Sequence, residues 1–203
     1  MTACSLHNPT FALLHDKAVI IAHAYIAKPN TNKAQHKRQQ SACVRALLSK
    51  TLCKFNITAK LQDTHLPYRL IGGRHGFVSF SHSGNQVALI ISPTPCAIDI
   101  EIHPVSPAIA NRYYHPNELM LINQAIAKQS LIAALWRIKE CWIKLYHGRL
   151  HAGLGVDFSA MTLPDASTQL QLVRTSVAAG HWVYHQPRLQ LNAIFADDNV
   201  AFA

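Results

Sequence analysis

Acidic side chains are scarce in this chain of 203 residues: ten Asp and Glu stand against nineteen Lys and Arg, a formal charge of +9 with the thirteen histidines neutral. A deficit of that size favours acidic partners: nucleic acid, a phosphorylated cofactor, an acidic protein or an anionic membrane surface. Long hydrophobic runs are also missing. The longest, Ala18 to Ala27, is interrupted by His23 and falls short of the roughly 20 residues that cross a bilayer. No basic start leads into an apolar segment at the N-terminus, so no secretory signal is expected. The five cysteines (Cys4, Cys43, Cys53, Cys96 and Cys141) form no CxxC or zinc-type pairing, and reduced thiols packing as small hydrophobes are expected. Repeats and low-complexity linkers are absent. What remains is 49% apolar and 14% charged, which excludes a disordered chain and describes a soluble globular protein. At this length about 70% of the unfolded surface can be buried without staples.

Periodicity predicts the elements. Residues 18–26 read as a buried strand, and apolar spacing over 41–55 as a helix that starts within the basic stretch 28–40. Pro67 and three glycines make 62–76 loop. Phe77–Ser81 and Gln86–Ser92 read as strands around a His82–Asn85 turn, and Cys96–Ile102 as a further strand. Residues 117–128 and 131–147 read as helices, and short strands follow around Leu170–Val173, Trp182–Tyr184 and Leu191–Phe195. The mixture indicates α/β or α+β.

Three segments could carry chemistry. On a strand over 97–102, Asp99 and Glu101 share one face and three isoleucines the other. Paired carboxylates repel unless a cation or protons intervene, so the face is either solvated or a site for a hard divalent ion. On the helix, Leu131, Leu135, Ile138, Trp142 and Leu145 form a core stripe. Trp136, Glu140 and Lys144 fall on roughly the opposite row, with Lys139 on a flank. Glu140 and Lys144 suit an exposed ion pair, but Trp136 beside them suggests a covered face. Ser81-His82-Ser83-Gly84 at a strand end is either a polar turn or an anion site. A hydrolase reading fails for lack of a G-x-S-x-G elbow.

In combination, FVSFSHSG (77–84), AIDIEIHP (97–104), NRYYHPNEL (111–119), LWRIKECWIK (135–144) and GRLHAGLGVDF (148–158) resemble the 4′-phosphopantetheinyl transferase family, in its larger, surfactin-synthetase-activating type. The resemblance covers 77–158. It implies two similar α/β halves related by pseudo-twofold symmetry, here 1–95 and 96–203, with the cofactor between them. It also implies transfer of the phosphopantetheine arm of coenzyme A to a serine of an apo carrier protein, with release of adenosine 3′,5′-bisphosphate.

Residue by residue, Asp99, Glu101 and Glu140 match the family's acidic ligands for Mg²⁺ (or Mn²⁺). Lys144 matches the lysine on the phosphates, with Lys139 a second phosphate or structural contact. His82, with Ser81, matches the segment that meets a coenzyme A phosphate. Glu118 matches an acidic position near the metal and, like Glu140, is a candidate general base. The basic N-terminal segment is represented by Lys33, Lys37, Arg38 and Arg45. Two departures stand out. The family's Gly-Lys-Pro ahead of Ser-His-Ser is replaced, with GGRH (72–75) nearby and Arg74 as a possible cation, and Arg137 stands where a small hydroxyl or thiol residue is usual. The expected partners are an acidic acyl or peptidyl carrier of fatty acid, polyketide or nonribosomal peptide synthesis, met by a cytoplasmic monomer without nucleic-acid or membrane partners. The competing readings are a nucleic-acid binder, suggested by charge alone, and a family-like binder of coenzyme A or a carrier without catalysis.

Overall fold

The computed structural model describes residues 5–14, 16, 18–27, 32–146, 151–161, 169–173 and 180–197. Two antiparallel sheets lie between helices, a mixed α/β architecture. The first sheet runs in the order β1 (Leu6–Leu14), β2 (Val19–Ile26), β6 (Gln86–Ser92), β5 (Phe77–Ser83), β4 (Tyr68–Ile71), β3 (Lys60–Gln62). The second runs β7 (Cys96–Ile100), β10 (Leu191–Ala196), β9 (His181–Gln186), β8 (Gln169–Val173). The long helices are α1 (Lys33–Lys54) and α4 (Lys128–Leu145); α2 (Pro107–Tyr113), α3 (Pro116–Gln124) and the short α5 (His151–Leu154) are the others.

The layers follow from which faces are apolar. Helix α1 is started by Asn32, whose Oδ1 accepts the Gln35 N–H at 3.0 Å. It buries Cys43, Val44, Leu47 and Leu48 against Ile20, Ala22, Val87, Leu89 and Ile91. The alternate residues Val19, Ile21, Ala88 and Ile90 face the second sheet, against Ile98, Ile100, Leu191, Ala193 and Phe195. Beyond that sheet, Ala97, Val183 and Ile194 meet Leu135, Ile138, Trp142 and Leu145 of α4. Strands β2 and β6 are therefore apolar on both faces because each is covered on both.

Several expectations are corrected. Within 62–76, β3 and β4 form a short edge, Pro67 and the glycines notwithstanding. His82 and Ser83 belong to β5, and the hairpin turn is only Gly84-Asn85. Gly84 has φ +52°, and a Cβ there would come within 2.2 Å of the Ile102 side chain. The turn is held from α1 by Gln40 Nε2 and His36 Nε2, at 2.8 and 2.9 Å from Gly84 O. Strand β1 and helix α2 were not anticipated. Cys53, Cys96 and Cys141 are free thiols, whereas Cys43 is disulfide-bonded, contrary to a wholly reduced set. Among the described residues no helix is long and apolar enough to cross a membrane.

Candidate functional site

Among the described residues, strand β7 has β10 on one side and no strand on the other, which would leave a row of its N–H groups unsatisfied. The serines of β5 supply the missing acceptors. Ser79, Ser81 and Ser83 Oγ accept the N–H groups of Ile98, Ile100 and Ile102 at 3.2, 3.1 and 3.2 Å. Because β5 alternates, Val78 and Phe80 meet the α1 core while these serines face β7. Two of the three hydroxyls also donate. Ser81 Oγ–H reaches Asp99 Oδ1 at 3.0 Å, and Ser83 Oγ–H reaches Glu101 Oε1 at 2.8 Å. Each of these serines thus binds a carboxylate and the N–H of the next residue, which fixes the acidic pair to the seam between the sheets.

Helix α4 brings the opposite charge. Lys144 Nζ donates to Asp99 Oδ1 and to Ile98 O, both at 2.8 Å, and the Asp99–Lys144 pair keeps side-chain exposures of 11% and 22%. Asp99 and its neighbours hold the Lys144 ammonium above its ordinary value although burial pulls it down. Glu140, one turn before Lys144, is half-buried and has no hydrogen bond among the described residues. Burial raises its carboxyl, Asp99 and Glu101 raise it further, and Lys144 opposes them. The three acids therefore share one electrostatic neighbourhood. Among the described residues no three His, Cys, Asp or Glu side chains are gathered tightly enough to hold a metal as they stand. The donor chemistry nevertheless fits a hard cation: Asp99 Oδ2, Glu101 Oε2 and both Glu140 oxygens remain without hydrogen bonds among the described residues.

A cleft of about 450 Å³ opens beside this cluster. Its walls are Ser41, Val44 and Arg45 of α1, Leu66 and Tyr68 ahead of β5, and Phe80, Ser81 and His82 of β5, with Asp99 and Lys144 at one end. Burial lowers the His82 imidazole, and the positive charges of Lys144 and Lys37 and the His36 ring lower it further. Cations from two helices thus converge on His82, a field that suits an anion bearing several charges.

The structure brings together His82, Ser81, Asp99, Glu101, Glu140 and Lys144, with Arg45 in the cleft wall and the charge of exposed Lys37 felt at His82. Arg45 spends Nη2 on Asp63 at 2.6 Å in an exposed pair. Lys33 and Arg38 are exposed on α1 and do not line the cleft.

Three expected contacts are corrected. Lys139 is wholly buried, and its Nζ is spent on Glu118 Oε2 (2.8 Å), Val156 O (2.8 Å) and Leu154 O (3.4 Å), so it has no donor left for a phosphate. Glu118 is equally sealed: it caps α3 at the His115 N–H and accepts the Phe158 N–H at 3.0 Å, away from solvent and from the acidic cluster's cleft. It can take no proton from a substrate in this arrangement. Arg74 precedes β5, eight residues before His82, and lines a separate depression with Phe55 and Gly73.

The loop that does reach the cleft is the one around Pro67, flanked by Leu66 and Tyr68. A proline ahead of Ser-His-Ser was the available signal, obscured by the glycines nearer to it. The Ser79 and Ser83 roles were also missed. Their signal was serine alternation opposite an alternating Ile run.

The fold and site define an α/β protein with a cationic cleft set against a strand-borne acidic pair. A profile of the 4′-phosphopantetheinyl transferase superfamily matches residues 95–200, and the chain belongs to that superfamily. The 4′-phosphopantetheinyl transferase psf-1 of Bacillus pumilus is 34% identical over 97 residues, a match covering 46% of this chain and 41% of that protein.

Proposed function

We propose that this protein moves the 4′-phosphopantetheine arm of coenzyme A onto a serine of an apo carrier protein, in the cytoplasm, and releases adenosine 3′,5′-bisphosphate. The observation that carries the reading is the convergence of Arg45, Lys144 and His82 on one cleft that also contains Asp99. The adenosine bisphosphate end would lie along α1 and the Pro67 loop, and the diphosphate beside Lys144 and His82. In the reaction the serine hydroxyl oxygen bonds to the phosphorus carrying the pantetheine arm. The bond from that phosphorus to the bisphosphate oxygen breaks, and the hydroxyl proton goes to a base.

Glu140 fits the base, because both of its oxygens are without hydrogen bonds among the described residues, so that one can face a cation while the other accepts a proton. Lys144 offsets charge moving towards the departing bisphosphate. Asp99, Glu101 and Glu140 would hold Mg²⁺, which supplies charge neutralisation at the diphosphate when bound. The serines of β5 keep the carboxylates in place. The basic surplus suits steering of an acidic carrier. The two sheets, parting between residues 92 and 96, support reading 1–95 and 96–203 as the two halves.

The test is incubation with coenzyme A, Mg²⁺ and a panel of apo carriers. A gain of about 340 Da on the carrier, the mass of the arm, supports the reading. Coenzyme A binding with every carrier unmodified would leave a binder instead of an enzyme.

A further inference from the structure

Arg137 is a fully buried charged side chain of α4 that takes no part in either lysine–carboxylate pair. It sits on the face of α4 that packs on β10, is 3% exposed, and makes a single hydrogen bond among the described residues, Nε–H to Asn192 Oδ1 at 2.8 Å. Among the described residues no carboxylate lies within ion-pair distance of it. Asp99 and Glu101 are felt from further off, while burial lowers the guanidinium. An arginine stripped of water and given no acid is costly unless something else supplies the negative charge. Its planar fork suits the two oxygens of a carboxylate or phosphate.

The surroundings supply room for that group. Arg137 and the buried His185 line a cavity of about 160 Å³, with half-buried Ala133 in its wall and exposed Ser130 and Gln190 at its edge. That volume exceeds the roughly 30 Å³ share of one water several times over. It is distinct from the cleft of His82 and Lys144, with which it shares no lining residue. Asn192 connects the two. It pairs in register with Asp99 on one side and with His185 on the other, and its Nδ2 lies 3.0 Å from His185 Nδ1. A polar row therefore crosses the second sheet from the acidic pair to this cavity, with Arg137 above its middle.

We propose that the Arg137 cavity is a second, separate anion site that takes one compact oxyanion, a phosphate or a carboxylate group, against the guanidinium. The Asn192 side-chain amide, bonded to Arg137, reports its occupancy by NMR. Inorganic phosphate and acetate are titrated in separate arms into the wild type, Arg137→Met, Ala133→Phe and Lys144→Ala. The expected result is a saturable shift of the Asn192 resonance with at least one anion, retained in Lys144→Ala and abolished in Arg137→Met. In Ala133→Phe, which fills the cavity and leaves the arginine in place, affinity should fall at least about tenfold. The arm that responds identifies the group recognised. No saturable shift with either anion would overturn the proposal. So would a shift that survives Arg137→Met, that is unchanged in Ala133→Phe, or that disappears in Lys144→Ala, because the anion would then be held in the other cleft.

Discussion

Two carboxylate–lysine pairs hang from the same helix, five residues apart, and have opposite fates. At the seam of α3, α4 and α5, Lys139 meets Glu118 at 2.8 Å with neither side chain exposed and every Lys139 donor used. At the seam between the sheets, Lys144 meets Asp99 at the same distance, but both keep some exposure, a cleft adjoins them, and Asp99 retains an oxygen without a hydrogen bond among the described residues. Distance is therefore not what separates a sealed pair from one open to a ligand. Spare hydrogen-bonding capacity and access are. A pair that has consumed its own valences can only hold the fold; one that has not can act on a ligand.

The comparison can be broken most directly at the buried pair. Glu118→Ala should leave a buried ammonium without its carboxylate and cost about 3–5 kcal/mol of stability, measured by urea unfolding, with transfer lost only as far as the fold is lost. A stable but inactive variant would return Glu118 to the chemistry. Next comes Lys144→Ala, expected to slow transfer by about 10²–10³-fold while thermal unfolding moves much less than in the Glu118 variant. If the two variants showed the reverse pattern, the contrast between the pairs would fail. Smaller again, Ser81→Ala and Ser83→Ala should each weaken Mg²⁺ affinity or transfer by about 10–100-fold, the usual cost of removing a group that orients a ligand. Unchanged Mg²⁺ dependence would reduce the serine ladder to a sheet fastener.

The mildest effect concerns pH. His181 is buried against Trp142, with ring centroids 4.9 Å apart, and burial lowers its imidazole to about 4. The unfolded chain takes up that proton near pH 6.5 and the folded one only near 4. Stability from this group is therefore complete above about pH 6.5, falls as pH drops through the interval and levels off below about 4. Unfolding curves of His181→Phe should show a weaker decline between those limits, whereas the Lys144 variant should not flatten it.

Much of the site was legible because it is local. Alternation over 97–102 put Asp99 and Glu101 on one face, and helical spacing separated Leu135, Ile138 and Trp142 from Trp136, Glu140 and Lys144. Those periods depend on backbone geometry that a single segment carries with it. The Ser-His-Ser segment was misplaced for the opposite reason. Its polar residues and glycine imitate a turn, and their place in β5 depends on a distant strand that needs acceptors. Lys139 and Glu118 look as available as Lys144 and Asp99 until α3 and α5 close over them. The exposed lysines of α1 could be assigned to no particular contact because nothing buries them into one.

The sequence by itself determined the strand and helix periods, the acidic face of β7, the core stripe of α4 and the cationic surplus, since each is a property of neighbours along the chain. Only tertiary structure decided which lysine is sealed and which is available, which serine holds which carboxylate, and that Arg137 is buried without an acid beside a cavity. Those outcomes depend on which groups from distant segments exclude water around one another, and burial is a property of the packed layers.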